Sequence, residues 1–416
     1  MYIVWMITAA IMITTVTKAT KRIFNPINVY IVIWTIILSL YEMDLIHYQK
    51  LSLSCWMVII CALVVLFIGY ILGLEDKVRI RKGRFNKNSG KPISQKKLKK
   101  IIAILIFISL IAILPNTVTI ISRYGIDFMM DTTQIYSDNL VGNASKTIPY
   151  LGSFAQAAVI CSGIYLYRFG FTWLSIMALV LSVLSGVPSG SRGYLIFSII
   201  YYILPTAIMS TKLKYTLRKN WKILFLSMTC IIVVFLILTN NRSANIANQS
   251  YYSSIINTLA SSNPSIVKNL LYITSPIAVL NAFISNPVFN FGANSFLPLA
   301  NILTKVGVNI DFPRYQEFYY VPMRMNAGTW IRELIQDFGW ISSFFVILFI
   351  GFILGRIAKR QSTRGNHLSV SLLYLDIVIY SMLIMSFYVW YLREGFVYVL
   401  LLNTLLIWRW TRNEYI

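Results

Sequence analysis

The chain has 416 residues, 57% of them hydrophobic and only 12% charged. A soluble protein carries about a quarter charged residues, so this composition excludes a water-soluble enzyme and describes an all-α polytopic membrane protein. The net charge of +23 is read against a membrane before nucleic acid, because Lys and Arg collect in cytoplasmic loops.

Eleven apolar runs predict transmembrane helices: 2–17, 27–47, 53–74, 101–121, 149–167, 171–187, 194–210, 223–239, 339–355, 368–389 and 395–410. Each approaches the length that crosses about 30 Å of hydrocarbon. No basic segment precedes the first run, and Lys18, Lys21 and Arg22 follow it. It is therefore read as a retained span with the N-terminus outside and not as a cleaved signal peptide. On that topology the inner segments 18–26, 75–100, 168–170, 211–222, 356–367 and the tail hold 26 of the 37 Lys and Arg residues, and the C-terminus is cytoplasmic. The basic loop 75–100, with Lys96, Lys97, Lys99 and Lys100, faces lipid headgroups or solvent and offers no scaffold for nucleic acid.

Two outer segments stand out. Residues 122–148 form a polar loop with Asp127, Asp131 and Asp138, and residues 240–338 form one large extracytoplasmic region rich in Asn, Ser and Pro. Within it, 266–285 is apolar but interrupted by Lys268, Asn269, Pro276 and Asn281, a pattern that suits an amphipathic or re-entrant helix.

Ionisable groups inside the spans are scarce: Asp376 lies in the tenth run, and Glu42 and Asp44 lie near the outer end of the second. Ion-coupled carriers place several such groups along their path, so the scarcity counts against a transporter. Cys55, Cys61, Cys161 and Cys230 sit in or beside apolar runs with no CxxC spacing, and His47 and His367 are far apart, so neither a disulfide framework nor a metal site is expected.

The outward-facing arginines carry the chemistry. Arg192 lies in Gly190-Ser191-Arg192-Gly193, where small residues open a helix whose positive end faces the same side, a plausible phosphate clamp. Arg242 directly follows the eighth run. Arg324 and Arg332 flank Asn326-Ala327-Gly328-Thr329; a helix starting near Thr329 puts Arg332 with Gln336 on one face and Glu333 with Asp337 on the next. Arg393-Glu394 occupies the short outer turn before the last run. Outer aromatics such as Tyr251, Tyr252, Tyr319, Tyr320 and Trp330 suit either sugar stacking or an interfacial belt.

Three stretches carry a resemblance: Gly190-Ser191-Arg192-Gly193, Phe291-Gly292-Ala293-Asn294-Ser295-Phe296-Leu297-Pro298, and Asn326-Ala327-Gly328-Thr329 followed by Gln336-Asp337-Phe338-Gly339. Together with the span pattern they resemble the Wzy-type polymerases of bacterial O-antigen and capsule synthesis, over about residues 186–355. The Arg-x10-Gly motifs of some members are absent, since Ile203 and Ser253 stand where glycine would follow Arg192 and Arg242. The resemblance implies a glycosyltransferase fold of the C type in the bacterial cytoplasmic membrane. It implies substrates that are undecaprenyl-diphosphate-linked oligosaccharide repeat units, donor and acceptor, and a site on the outer face. A flippase and a chain-length regulator are the partners such a system would need.

The chemistry agrees with the residues. An acceptor hydroxyl attacks the anomeric carbon and a lipid diphosphate leaves; that leaving group needs no general acid. Arg192, Arg242, Arg324, Arg332 and Arg393 are the candidate diphosphate ligands, stabilising its developing charge without a metal or other cofactor. Asp337, Glu333 and Glu394 are the candidate bases, with Asp337 ranked first for its match to the Asp-Phe-Gly element and Glu333 ranked down because Arg332 adjoins it. Asp311, Glu317 and Tyr319 stand behind them. A lipid-linked oligosaccharide flippase and an O-antigen ligase of the same fold are the alternatives.

Overall fold

The apolar runs become helices because a buried backbone in hydrocarbon must satisfy its own hydrogen bonds. The computed structural model describes residues 1–75, 91–125, 135, 138, 150–186, 193–209, 250–308, 310, 312–313, 316–363, 368–412 and 414–416, and ten of the eleven runs fall on described helices. The run 223–239 lies outside the described residues, as do Asp127, Asp131, Cys230, Asp311 and His367. The described chain is mostly helical, the architecture of an α-helical membrane protein. Among the described residues, five helices are long and apolar enough to cross a membrane: Tyr2–Thr20, Leu53–Glu75, Gln95–Tyr124, Ile266–Ser285 and Trp330–Gln361. Pro26–Glu42, Trp173–Gly186, Tyr194–Met209, Val370–Ile384 and Gly395–Trp410 are apolar but shorter.

The chain divides into two compact units. The first comprises Met1–Arg84, Asn245–Gly365 and Met382–Val397. It contains α1 (Tyr2–Thr20), α2 (Pro26–Glu42) and α3 (Leu53–Glu75). Asn25 starts α2 by accepting from Asn28 N at 2.9 Å, with Pro26 at the first helical position, where its missing N–H costs nothing.

The same unit's closest helix contact is between α3 and the long helix that begins at Trp330. Gly69 and Gly73 face Gly351 and Gly355 across it. A Cβ on Gly69 would lie 2.1 Å from Leu348 O, and one on Gly355 2.0 Å from Tyr70 O. Both sequences have small residues four apart, and in lipid, where burial gives no hydrophobic gain, this close backbone approach supplies the dispersion that holds helices together.

Residues 266–285 form part of one continuous helix, Pro264–Ser285, despite the polar interruptions. Two of its polar side chains, Thr274 and Asn281, have hydrogen-bond partners. Asn281 Oδ1 accepts from Ser52 N at 2.9 Å, Thr274 Oγ1 donates to Leu270 O at 2.8 Å, and Tyr48 bonds Thr274 at 2.9 Å. The loop before α3 thus supplies partners that a bare hydrocarbon environment lacks.

The second unit comprises Phe85–Ala244, Asn366–Ser381 and Tyr398–Ile416. After β1 (Lys91–Pro92) it holds α4 (Gln95–Tyr124), α5 (Phe154–Phe169), α6 (Trp173–Gly186) and α7 (Gly193–Met209). The helix α5 is buried along most of its length, and at Gly163 a Cβ would lie 2.5 Å from Tyr202 O on α7. Lys97 pairs with Glu414 at 2.9 Å beside a two-residue parallel pairing of Lys91–Pro92 with Glu414–Tyr415. Asp376, in this unit, is buried.

Candidate functional site

The remaining elements of the first unit build the site. These are α8 (Ser254–Ser262), α9 (Pro264–Ser285), α10 (Ala293–Lys305), the hairpin β2 (Tyr319–Tyr320) with β3 (Arg324–Met325), and α11 (Trp330–Thr363). They are followed by α12 (Val370–Ile384), whose last residues belong to this unit, and a 3-10 turn at Tyr391–Arg393.

The helix α11 starts where the spacing predicts. Thr329 Oγ1 accepts from Arg332 N at 3.3 Å and Thr329 O from Glu333 N at 3.2 Å. Its first turn is anchored by Trp330 N donating to Ser386 O at 2.8 Å. Trp330 itself is buried against Tyr30 and Trp390, so it packs the core and stacks on no sugar. At Gly339 the backbone leaves helical geometry with φ 73°, a conformation glycine adopts without a Cβ penalty, and α11 is in effect two helices in series.

That break explains why Phe291-Gly292 and Gln336-Asp337 belong together. Phe291 (φ 47°) and Gly292 (φ 93°) make a left-handed turn. It places Asn290 N 2.7 Å from Gln336 O, satisfying the end of α11's first half. In return Asp337 caps the start of α10: its carboxylate accepts from Asn294 N at 2.9 Å and from Ser295 N and Ser295 Oγ at 2.6 Å each. An anion at a helix N-terminus is stabilising. Asp337, the first-ranked base from sequence, is therefore occupied by three donors, and its role here is to join two helix ends.

Arg332 is 0% exposed. Its guanidinium donates to Asn326 O at 3.1 Å and Glu317 O at 3.0 Å and lies over the Tyr319 ring at 4.9 Å from the centroid. Its Nε has no hydrogen-bond partner. Gly328 makes room for it: a Cβ there would lie 2.6 Å from Arg332 Cδ. Among the described residues no carboxylate lies within 4.0 Å of Arg332. The adjacency of Arg332 and Glu333 in sequence thus makes no ion pair, because successive helical side chains point different ways.

Glu333 is also fully buried. Its carboxylate accepts from Gln316 Nε2 and, at 3.1 Å, from Trp390 N. Arg393 donates through one terminal nitrogen to Asn294 Oδ1. Glu394, next in the chain, is exposed, and its carboxylate has no side-chain hydrogen bond among the described residues. Protein packed around Glu394 pushes its carboxyl above the usual glutamate range, and Arg393 pulls part of the way back. Water on the open face limits that rise. Tyr319 is pushed up to about 12 by burial and by its 2.9 Å bond to Glu317, which Arg332 partly offsets, so its phenol stays protonated at neutral pH and is no base.

Arg332, Arg393, Glu333, Asp337 and Glu394 are thus gathered in one unit. Arg324 is not bonded into the cluster: it is exposed on β3, with its guanidinium 4.2 Å from the Phe318 ring centroid. Arg192 and Arg242 lie outside the described residues. Asn294, Ser295, Gln316 and Trp390 are partners the sequence reading assigned no role; the left-handed Phe291-Gly292 turn was the available signal for the first two. Among the described residues no three His, Cys, Asp or Glu side chains group as metal ligands. Comparison with protein-family models, curated proteins and solved structures finds no match.

Proposed function

We propose that this protein is a membrane glycosyltransferase that joins undecaprenyl-diphosphate-linked oligosaccharide repeat units into a bacterial surface polysaccharide. In this reading it is an eleven-span polymerase of the C-type fold in the cytoplasmic membrane, its site on the outer face and its C-terminus inside. One observation carries it: Arg332 is a wholly buried guanidinium that, among the described residues, is held by two backbone carbonyls and an aromatic face, with its Nε unsatisfied. A buried charge without a counter-ion costs several kcal/mol, and an anionic ligand offsets that cost. The resemblance of the surrounding segments to Wzy-type polymerases makes the ligand a lipid diphosphate.

The acceptor hydroxyl forms its C–O bond at the donor's anomeric carbon as the bond to the diphosphate breaks. Arg393, at the rim, and Arg332, behind the 316–329 hairpin segment, bind the departing diphosphate oxygens; reaching Arg332 displaces Glu317 O and Asn326 O. Glu394 takes the acceptor proton, since it is the exposed one of the three first-ranked carboxylates, Asp337 is engaged in capping, and the exposed Glu317 is bonded by Tyr319. Guanidinium groups supply the charge stabilisation, so turnover proceeds without a divalent metal.

The test is incubation of purified protein with a lipid-linked repeat unit in the presence of EDTA, with products resolved on a gel. A ladder of lengthened products is expected from wild type, none from Arg332→Ala, and a faint one from Arg332→Lys, whose point charge lacks the planar fork. Unlengthened repeat units from wild type, with transfer across liposome membranes instead, refute the polymerase and favour a flippase. Activity lost in EDTA and restored by magnesium refutes the metal-free mechanism.

A further inference from the structure

We propose that α10 (Ala293–Lys305) is an interfacial helix that seats its apolar face at the boundary between the headgroups and acyl chains of a phospholipid bilayer, and so fixes the depth of the residues gathered at its first turn. The inference holds whatever reaction those residues perform.

Phe296, Leu299 and Leu303 recur every three or four residues along the helix, Ile302 sits beside them, and Val306 continues the row just past its end. The spacing puts all five on one face. All five are exposed, Val306 at 76%. Asn301 and Thr304, on the opposite side, are exposed too. Burying one such side chain is worth about 1.5–3 kcal/mol relative to leaving it in water, so a row of five is a surface with a partner. The helix has 13 residues, which reach about 20 Å. That is short of the ~30 Å of hydrocarbon. With one apolar and one polar side, it suits lying along a bilayer surface and not crossing it.

The attachment of α10 identifies the partner as lipid. Asp337 holds its first turn, and Phe296 meets Phe338 edge-to-face at 6.4 Å between centroids. Gly292 permits this placing of the ring, since a Cβ there would lie 2.9 Å from Phe296 Cδ2. Directly after Phe338, Gly339 breaks α11. Beyond the break Ile341, Phe345 and Phe349 are exposed at four-residue spacing, Ile341 at 74%, on a helix long and apolar enough to cross a membrane. A stripe of that kind faces acyl chains. α10 is thus tied to the point where the lipid-facing stripe begins, and the Phe296–Phe338 contact carries apolar surface from one helix to the other. That continuity favours lipid over a second copy of the chain. Asn294 and Arg393 meet at the first turn of α10, so the cluster lies at headgroup depth, where the charged part of a lipid-linked molecule sits.

The test uses the full chain with Cys55, Cys61, Cys161 and Cys230 replaced by alanine, reconstituted in liposomes of phosphatidylethanolamine and phosphatidylglycerol. Leu303→Cys, Val306→Cys, Thr304→Cys and Phe345→Cys each carry a polarity-sensitive fluorophore at a position that is exposed in the structure. Quenching is read with iodide on both sides of the membrane, and with lipids bearing a nitroxide either near the glycerol or near the chain end. Labels at 303 and 306 are expected to emit to the blue of the label at 304, to resist iodide, and to be quenched more by the shallow nitroxide than by the deep one. The label at 345 should be quenched more by the deep nitroxide, and the label at 304 by iodide. Iodide quenching at 303 and 306 as strong as at 304, with lipid quenching confined to 345, overturns the inference. So does deep-nitroxide quenching of 303 and 304 alike, which would bury the whole helix in hydrocarbon. Labels at 303 and 306 reached by neither quencher, with unlabelled Leu303→Cys forming a disulfide between two chains, would assign the face to a second copy instead of lipid.

Discussion

Replacing Asp337 separates a structural role from a catalytic one. The carboxylate is 4% exposed and accepts from two backbone amides and one hydroxyl at the start of α10. Asp337→Ala leaves Asn294 N and Ser295 N buried without acceptors. Each unsatisfied buried donor costs about 1–3 kcal/mol. Losing an anion at a helix N-terminus adds about 0.3–1 kcal/mol. Relief from burying a carboxylate offsets part of this, so the expected destabilisation is about 2–4 kcal/mol. Asp337→Asn keeps one acceptor oxygen but turns a donor toward another, and should cost about half as much. The assay is chemical or thermal unfolding in detergent micelles, run beside repeat-unit polymerisation well below the transition. Asp337→Asn is expected to unfold earlier and still polymerise. An unchanged unfolding midpoint with polymerisation abolished would refute the capping assignment and return Asp337 to the list of bases.

Three further outcomes are expected. Gly351→Leu should drive apart α3 and α11, because a Cβ there meets Leu66 O at 2.3 Å, and lower the unfolding temperature far more than Gly170→Ala, where nothing lies within 4 Å and only the strain of φ 87° is paid, about 1–2 kcal/mol. Gly328→Ala should push Arg332 from its place, since the new methyl lies 2.6 Å from Cδ; calorimetry should show weakened diphosphate binding while the helix content by circular dichroism is unchanged. The acid limb of the rate–pH profile should lie above the ordinary glutamate range, because a base works deprotonated and the Glu394 carboxyl is shifted upward. That limb should disappear with activity in Glu394→Gln, and an unaltered profile in that variant would remove Glu394 from the mechanism.

The apolar helices were legible in the sequence because hydrocarbon imposes a local requirement, a contiguous run of about 17–25 apolar residues, and local requirements leave contiguous marks. The small-residue spacing of Gly69 with Gly73 and of Gly351 with Gly355 is present in the sequence but carried no reading there; only the packed pair reveals that each is the other's partner. Arg332, Glu333 and Asp337 stood out as charged groups beside a helix start, again a local pattern. Their roles were not local. Asp337 is spent on Asn294 and Ser295, more than forty residues earlier, and Arg393 is held by Asn294, 99 residues away. The polar residues of 266–285 break the apolar pattern yet not the helix, and two of them, Asn281 and Thr274, are bonded by Ser52 and Tyr48 from a distant loop. Residue types are fixed one position at a time, whereas the hydrogen bond that consumes or spares a carboxylate depends on which chain segments meet. Only the tertiary structure therefore decided that Asp337 is a cap, that Glu394 is open, and that Arg332 is buried with no counter-ion among the described residues.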